Sequence, residues 1–258
     1  AVTICPRMVA RHELADLDNI LEYSKARNKS ECEYLLANSH WCSYDSTLQN
    51  LQSYCANWYD DLDKINVIEH VNKSAHSTKE VFQKKMSAVR IFTHLGICYT
   101  TNIQDFKIIF NKDVIHSDFQ SYSNYDHPEF EWTLDDGYFK KTSNYPQRAY
   151  SHTAFDIPMN LTRIDAENAC NSRSMYAIIH LPSEIPTEYH KFLPIRYGSK
   201  SSIIVTTKSY RSDEGLRAYR PDVRKCYFLG EKKLTFFNTY SMAQCQLECV
   251  GNDVFKKC

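Results

Sequence analysis

Cysteines are the residues of this chain with the most chemistry to offer. The chain has 258 residues, and ten of them are cysteines, more than a reduced cytosol usually keeps without a metal or a catalytic reason. Zinc is disfavoured, because Cys245, Cys249 and Cys258 include no C-x2-C pair and no histidine follows them at zinc-finger spacing. The sequence therefore predicts disulfides formed in an oxidising compartment, with no metal and no cofactor.

Two of the late cysteines, Cys245 and Cys249, are four residues apart in a segment with helical character. On a helix, side chains at this spacing have Cβ atoms about 5 to 6 Å apart, whereas a disulfide needs about 3.8 Å. We therefore expect each of them to bond to another segment and not to its neighbour.

Three glycosylation sequons agree with an oxidising compartment. They begin at Asn28, Asn72 and Asn160, and such sites carry glycan only on the lumenal side of the secretory pathway. No initiator Met or signal sequence is present, and residues 1–5 have the composition of a strand. We expect the chain to be part of a longer protein.

No sequence motif indicates a catalytic site. His12-Glu13 lacks the second histidine of the zinc-protease motif, and neither a G-x-S-x-G elbow nor a protease-like cysteine signature occurs. The carboxylate pairs at 60–61 and 135–136 suggest glycoside hydrolysis, but adjacent residues point apart on a helix or a strand. The ten histidines admit a metal site or a pH switch, although scattered hydrogen-bonded histidines are the simpler interpretation. The sequence thus predicts that the protein is not an enzyme.

Composition and charge exclude further classes. Thirty-one basic and 31 acidic residues give a net charge of zero, without the positive field of a nucleic-acid binder. The six glycines are too far apart to form a glycine-rich nucleotide loop. The longest apolar runs, at 177–181 and 203–205, fall far short of the roughly 18 to 20 residues of a membrane span. We expect no nucleic-acid partner and no span within these residues.

Apolar periodicity predicts helices in the first part of the chain, after a short strand over residues 1–8. A first helix is indicated by Leu14, Leu17 and Leu21. A longer stripe predicts an amphipathic helix of roughly 24 residues. Its members are Leu48, Leu51, Cys55, Trp58, Leu62 and Ile65. A third helix that stops at Gly96 is indicated by Phe82, Met86, Val89 and Phe92.

Short β-branched and aromatic runs predict strands in the second part. The expected strands cover residues 97–101, 106–110, 175–181, 201–207 and 234–237. Residues 116–160 have the composition of long irregular connections, and Ser241 to Gln244 fits a capping box that opens a last helix. This order of elements is typical of an α+β fold with segregated layers.

Four strings, in order along the chain, resemble motifs of the degenerin/epithelial sodium channel family. Residues 1–5 (AVTIC) resemble the strand that follows the first membrane helix, and residues 96–102 (GICYTTN) resemble the G-x-C-Y-T-F-N signature, with Thr101 in place of the aromatic residue. Residues 131–138 (EWTLDDGY) are similar to the arthropod pickpocket branch. The run from Arg224 to Cys249 resembles the approach to the family's thumb helix.

The resemblance implies a subunit of a trimeric, sodium-selective and often amiloride-sensitive channel of the plasma membrane. The trimer would contain identical or different subunits, with a hand-like region on the extracellular face. This chain would supply a disulfide-stabilised part of that region, with a mixed or antiparallel palm and β-ball. The implied parts are a first palm strand at 1–8, a helical finger at 9–95, palm and β-ball strands at 96–238 and a first thumb helix at 239–258.

The resemblance also implies roles for the cysteines. Cys5 would bond to Cys98, which closes a long loop and by chain entropy contributes about 4 to 5 kcal/mol. The thumb cysteines, whose partners would lie downstream, are Cys226, Cys245, Cys249 and Cys258. The remaining four have no usual family counterpart and admit three pairings among themselves. They are Cys32, Cys42, Cys55 and Cys170.

Two other functions remain open at the level of sequence. A secreted, disulfide-rich binding module predicts that all ten cysteines pair within the chain, and a secreted hydrolase needs convergent carboxylates in a cleft. For a channel, the stimulus stays open between a ligand, protons and mechanical load. Val223 occupies the position of a thumb tryptophan that couples to the membrane helix in acid-sensing relatives, so that contact is not transferred.

Overall fold

The computed structural model describes residues 1–6, 28–39, 53–58, 64–75, 81–82, 88–114, 132–133, 137–138, 174–196, 198–206, 208, 212–228 and 230–257. Its architecture is α+β with an antiparallel sheet, which confirms the predicted fold class at that level. The helix predicted around Leu14 to Leu21 lies outside the described residues, as do Leu48, Leu51 and Leu62 of the apolar stripe.

Seven strands occur in the described part of the chain. They are β1 (Val2–Cys5), β2 (Ala88–Thr93), β3 (Gly96–Thr101), β4 (Trp132–Thr133), β5 (Gly137–Tyr138), β6 (Ser174–Ile179) and β7 (Phe192–Arg196). Five of them form one sheet in the order β2-β3-β1-β6-β7, with every pairing antiparallel. The other two, β4 and β5, form a short ladder within the stretch predicted to be irregular.

Strand β1 is the centre of the sheet. Val2 pairs with Thr101 of β3 on one side and with Ile179 of β6 on the other. The main core lies against this sheet and includes side chains from strands, loops and helices. Its buried members are Cys5, Ile91, Cys98, Ile103, Phe106, Ile109, Ile178, Ile185, Leu234 and Phe237. The elements far apart in sequence thus meet on one face of the sheet.

The described helices are α1 (Lys29–Ser39), α2 (Val67–Ser74), α3 (Phe106–Ile109), α4 (Pro221–Arg224) and α5 (Met242–Lys257), with a 3-10 helix over Glu214–Ala218. Helix α1 packs on α2. Asn28 and Asn66 cap the two helices, since their Oδ1 atoms accept the backbone N–H of Glu31 at 2.9 Å and of Glu69 at 3.1 Å. None of the described helices is long and apolar enough to span a bilayer.

The predicted single helix through the long apolar stripe is wrong. Cys55 to Trp58 form a turn, in which the Trp58 N–H donates to the Cys55 carbonyl oxygen at 2.9 Å. The chain then starts a new helix at Val67, because the Asn66 side chain supplies a cap there. The apolar repeat thus indicates which residues near Cys55 are buried, whereas the Asn66 cap determines where α2 begins.

The predicted helix before Gly96 is also wrong, because Val89 and Phe92 lie in β2. Ile91 is 2% exposed and packs in the same core cluster as Val89, two residues earlier, as expected for two residues on one face of a strand. Gly96 has φ of 90°, so it closes a tight hairpin between β2 and β3 where the sequence suggests a helix terminus. This strand lies inside the range 9–95 assigned to the finger.

Of the first four predicted strands, two form as predicted and two do not. Residues 97–101 and 175–181 correspond to β3 and β6, as predicted. The strand predicted at 106–110 is wrong, because Asp105 Oδ1 accepts the Lys107 N–H at 2.8 Å and starts α3. The strand predicted at 201–207 is wrong over residues 201–206, which have no regular secondary structure and lie outside the sheets, with Ile204 93% exposed.

The strand predicted at 234–237 is wrong apart from one bridge, between Phe110 and Phe237. The last helix begins as predicted, since Ser241 Oγ accepts the Gln244 N–H at 3.2 Å. The reciprocal half of the capping box is missing, because the Gln244 side chain bonds elsewhere. The missing strand at 234–237 and the missing half of the capping box both lie where α5 is attached to the rest of the molecule.

Candidate functional site

A disulfide joins β1 to β3 in the middle of the sheet. Cys5 and Cys98 are bonded, 93 residues apart in sequence, and both are fully buried. This is the pair that the resemblance implies. The bond closes the whole segment between the two strands onto the central strand, so any displacement of β1 is passed to β3.

A buried histidine extends from β6 to the central strand. The Thr3 hydroxyl lies 2.8 Å from His180 Nε2, and His180 Nδ1 lies 2.9 Å from the Leu181 carbonyl oxygen. Because a carbonyl oxygen only accepts, Nδ1 carries the proton and Thr3 donates to Nε2. Burial lowers the pKa of His180 to about 3. His180 is therefore a neutral link between β1 and the loop that follows β6.

The same loop holds a second histidine next to a carboxylate. The Thr187 N–H donates to His190 Nδ1 at 3.1 Å, so Nε2 carries the proton and faces Glu184 Oε2 at 3.4 Å. Burial opposes ionisation of Glu184, but hydrogen bonds from His190 and Ser241 outweigh it and lower the pKa of this carboxyl. Since Ser241 is the cap of α5, Glu184 connects the loop to the start of that helix.

Gln244 makes a second connection between α5 and the loop. Its side chain is 1% exposed, and Nε2 donates to the Ser183 carbonyl oxygen at 2.7 Å. Its Oε1 is buried and has no hydrogen-bond partner among the described residues, and the same holds for Nε2 of Gln104. The backbone N–H of Gln104 donates to the Pro182 carbonyl oxygen, next to the Ser183 carbonyl oxygen that Gln244 binds. The loop is thus held by directional hydrogen bonds from two segments, while one polar atom of each glutamine side chain stays without a partner among the described residues.

We call the group Thr3, His180, Glu184, His190 and Gln244 the sheet–helix cluster. The rings of His180 and His190 meet edge to face with centroids 5.8 Å apart, so the two hydrogen-bonded sets are in contact. The cluster joins the central strand, the loop after β6 and the first turn of α5. Its residues are polar and, apart from the partly exposed His190, buried, so the role they can have is to position these three elements.

A second attachment lies further along α5. Glu248 Oε2 accepts the N–H groups of Thr235 and Phe236 at 2.7 and 2.8 Å. Asn238 Nδ2 donates to the carbonyl oxygens of Ile108 and Phe110 at 3.0 and 2.7 Å. These side-chain bonds hold the segment before α5 against α3, together with the backbone bonds that flank the Phe110–Phe237 bridge.

Arg224 organises the segment that carries Cys226. Its side chain is 2% exposed, pairs with Glu231 and donates to the Cys226 carbonyl oxygen at 3.0 Å. The Phe228 N–H and Arg224 lower the pKa of Glu231 and keep it ionised. The Phe228 ring stacks against the guanidinium with its centroid 4.9 Å from Cζ. The motif therefore has a structural role next to a cysteine.

The helices α1 and α2 form a separate small unit with its own disulfide, between Cys32 and Cys55, 23 residues apart. His70 Nε2 lies 3.3 Å from Glu33 Oε2 and connects the two helices. A cavity of about 350 Å³ opens between them, lined by side chains of both charges. Lys64 and Ile65 are among its lining residues.

The other sequence-predicted residues are distributed as follows. Cys226, Cys245 and Cys249 have free thiols. Asn28 is exposed at the start of α1, and Asn72 is half-buried within α2. Four residues lie outside the described part of the chain: Cys42, Cys170, Cys258 and Asn160.

Sequence reasoning missed the sheet–helix cluster. Glu184 and His190 are separated by Pro186 and a turn, a spacing that fits neither a helix nor a strand. The signal was the series H-L-P-S-E-I-P-T-E-Y-H over 180–190, with two histidines and two acids in a proline-bounded loop. No group of three or more His, Cys, Asp or Glu side chains suited to a metal occurs among the described residues.

Comparison with known proteins adds an independent finding. The family model described as amiloride-sensitive sodium channel matches residues 1–258. The chain is also 26% identical over 137 residues to Pickpocket protein 28 of Drosophila melanogaster. That match covers 50% of this chain and 22% of the relative, so the aligned part is about a fifth of that protein. No solved structure matches the chain.

Proposed function

We propose that this chain, which belongs to the amiloride-sensitive sodium channel family, is part of the extracellular region of a sodium channel subunit in the plasma membrane. The observation that carries the proposal is the family match over the whole chain. The two disulfides support it, since they suit an oxidising, extracellular setting. In the full-length protein, sodium ions would pass through membrane-spanning parts, and subunits would assemble as a homo- or hetero-trimer.

The proposed organisation assigns the five-stranded sheet to the palm. The α1–α2 unit belongs to the finger at 9–95, within which β2 is counted with the palm. Helix α5 belongs to the first thumb helix at 239–258, and residues 96–238 to palm and β-ball. The free thiols of Cys226, Cys245 and Cys249, with Cys258, would pair with cysteines later in the polypeptide. Because Cys32 is bonded to Cys55, the three pairings open to the finger cysteines reduce to one, Cys42 with Cys170.

The mechanism that the geometry supports is mechanical transmission from helix to sheet. A ligand, protons or load acting on α5 would move Ser241 and Gln244, which are bonded to Glu184 and Ser183. The loop passes this displacement through His180 to Thr3 of the central strand. By the resemblance, β1 follows a membrane helix, so the strand is a path to the pore. A chain of directional bonds between two elements is the kind of contact that can have two discrete arrangements.

The test is to express the full-length parent in cultured cells and record whole-cell current. We expect an inward current that amiloride blocks and that disappears when a large organic cation replaces sodium. Gln244→Ala should shift the stimulus needed for half-activation at equal surface amount, while the exposed Gln246→Ala should not. A parent protein released into the medium, with all ten cysteines paired within these residues, would instead establish the secreted binding module.

A further inference from the structure

Asn28 and Asn72 stand in the same sequon type but in opposite structural settings. Asn28 precedes α1, and residues 28–30 are all exposed. Asn72 lies inside α2 and is half-buried. The side-chain carbonyl of Asn28 accepts the Glu31 N–H at 2.9 Å, which turns that oxygen toward the helix. Its Nδ2, which diverges from the same carbon, is left on the solvent side.

Asn72 has its side-chain oxygen buried without a hydrogen-bond partner among the described residues. Its backbone carbonyl oxygen accepts a bond from Arg90 Nη1 of β2 at 3.2 Å, and α2 contacts β3. This part of α2 therefore faces the sheet. An oligosaccharide attached there would have to displace the packing between helix and sheet, because glycans are bulky, solvated groups.

We propose that Asn28 is an N-glycosylation site of the folded protein and that Asn72 is left unmodified. The inference rests on the proposed function, because glycan is transferred only on the lumenal side. The co-reactant is an oligosaccharide linked to a lipid diphosphate. Nδ2 of Asn28 forms a bond to C1 of the first sugar, the bond from C1 to the diphosphate oxygen breaks, and the lipid diphosphate leaves with that electron pair. One amide proton is released, and no oxidant or reductant is required.

A glycan at Asn28 would also identify one surface of the assembled channel that faces solvent. A glycan at the start of α1 needs free space around it, so the end of the α1–α2 unit that carries Asn28 stays outside every subunit contact. Subunits can then approach the unit only from its other sides. This deepens the proposed assembly, since it removes one surface from the interface.

The test uses the full-length parent expressed in cultured cells, with Asn160→Gln throughout so that the third sequon does not contribute. Removal of glycan by an amidase in heavy-oxygen water marks each occupied asparagine as aspartate, and peptide mass spectrometry reads both sites. We expect complete marking at Asn28 and none at Asn72. Asn28→Asp keeps the capping oxygen and Ser30→Ala keeps Asn28 itself, and each should reduce the gel-mobility shift on deglycosylation by the contribution of one glycan. Ser30→Thr should retain it.

A reporter variant separates the two proposals. Ser199→Asn creates a sequon with Lys200 and Ser201 in an exposed segment. If residue 199 is occupied while Asn28 is not, the Asn28 assignment is wrong and the extracellular location stands. If neither is occupied, both proposals fail. Occupancy of Asn72 at the level of Asn28 would overturn the structural selection.

Discussion

The sheet and the α1–α2 unit are each closed by one disulfide, yet they use it differently. The sheet disulfide spans 93 residues and lies in a core with ten buried members. The disulfide of the helical unit spans 23 residues and accounts for two of the four buried members of its small core. Among the described residues, the sheet thus has more packing and ladder bonds that remain when its disulfide is removed than the helical unit has. We expect the disulfide to matter more for local order in the helical unit than in the sheet.

The largest expected effect comes from breaking the sheet bond. Cys5→Ala with Cys98→Ala should lower the free energy of unfolding by about 4 to 5 kcal/mol, because the unfolded chain regains the freedom of a long loop. Chemical denaturation of the purified protein measures this. Single and double variants should lose similar amounts, and a loss below about 1 kcal/mol in the double variant would contradict the loop-entropy account.

Breaking the shorter bond should cost less but act more locally. Cys32→Ala with Cys55→Ala removes closure of a short loop, worth about 3 kcal/mol by the same entropy argument. We expect amide hydrogen exchange to rise throughout α1 and α2, with β1, β3 and β6 still protected. Equal loss of protection in the sheet would show that the two regions do not unfold separately.

Acid should weaken the sheet. The pKa of His180 falls from 6.5 to about 3 on folding, so below pH 6.5 the unfolded state binds a proton that the folded state excludes. Stability due to this group is complete above pH 6.5 and is lost as the pH falls toward 3, by up to about 1.4 kcal/mol per pH unit. Thermal denaturation from pH 7.5 to 3.5 should show the decline beginning near pH 6.5, and His180→Gln should flatten it above pH 4.5.

Glu184 contributes in a lower window of pH. Its pKa is depressed below 4.5, so its contribution is present above that value and is lost as the pH falls further. A decline that begins only below pH 4.5 and is unchanged in His180→Gln would assign the acid effect to the carboxylate instead.

Loss of the Gln244 amide should cost about 1 to 2 kcal/mol, because it leaves the buried Ser183 carbonyl oxygen unpaired. The matched control is Gln246→Ala, on the exposed side of the same helix. Differential scanning calorimetry of the two variants isolates the buried contact. Equal melting temperatures would show that the Gln244 contact adds nothing to the attachment of α5.

The smallest effect is expected at the surface of the helical unit. Lys73 and Glu69 pair four residues apart on α2, with both side chains largely solvent-exposed. Such pairs contribute about 0.3 to 0.5 kcal/mol. Lys73→Gln should therefore shift the melting temperature only slightly, and by less than the addition of 0.5 M salt shifts that of the unsubstituted protein. Amide hydrogen exchange in the sheet should not change.

The sequence predicted the α+β class, β3, β6 and α5, where β-branched runs or a serine cap coincide with the final contacts. It failed where a side chain overrides periodicity. Val89 fits a helical repeat, but it lies in a strand because β2 pairs with β3. Residues 106–110 have the composition of a strand, but Asp105 caps a helical turn there and α3 forms instead. Local patterns carry no information about which distant segment offers a partner.

The sheet–helix cluster was missed for a related reason. Thr3, Glu184 and Gln244 come from three distant segments, and none has an unusual neighbourhood in sequence. The burial that makes His180 neutral arises only after the loop folds back onto β1. By contrast, the resemblance pointed to Cys5 and Cys98 together. The family's motifs identify two cysteines that bond to each other, whereas the spacing of the cysteines alone does not.

The central place of β1 has a consequence for biosynthesis. This strand leaves the ribosome before both of its neighbours, and the second of them, β6, begins at Ser174. At translation rates of about 5 to 20 residues per second, β1 waits roughly 10 to 35 s before it can be enclosed on both sides. In the first part of that interval, until Cys98 has been made, the Cys5 thiol can meet Cys32 and Cys55 but not its own mate. Any wrong bond formed in that time would have to be reshuffled before the sheet can close.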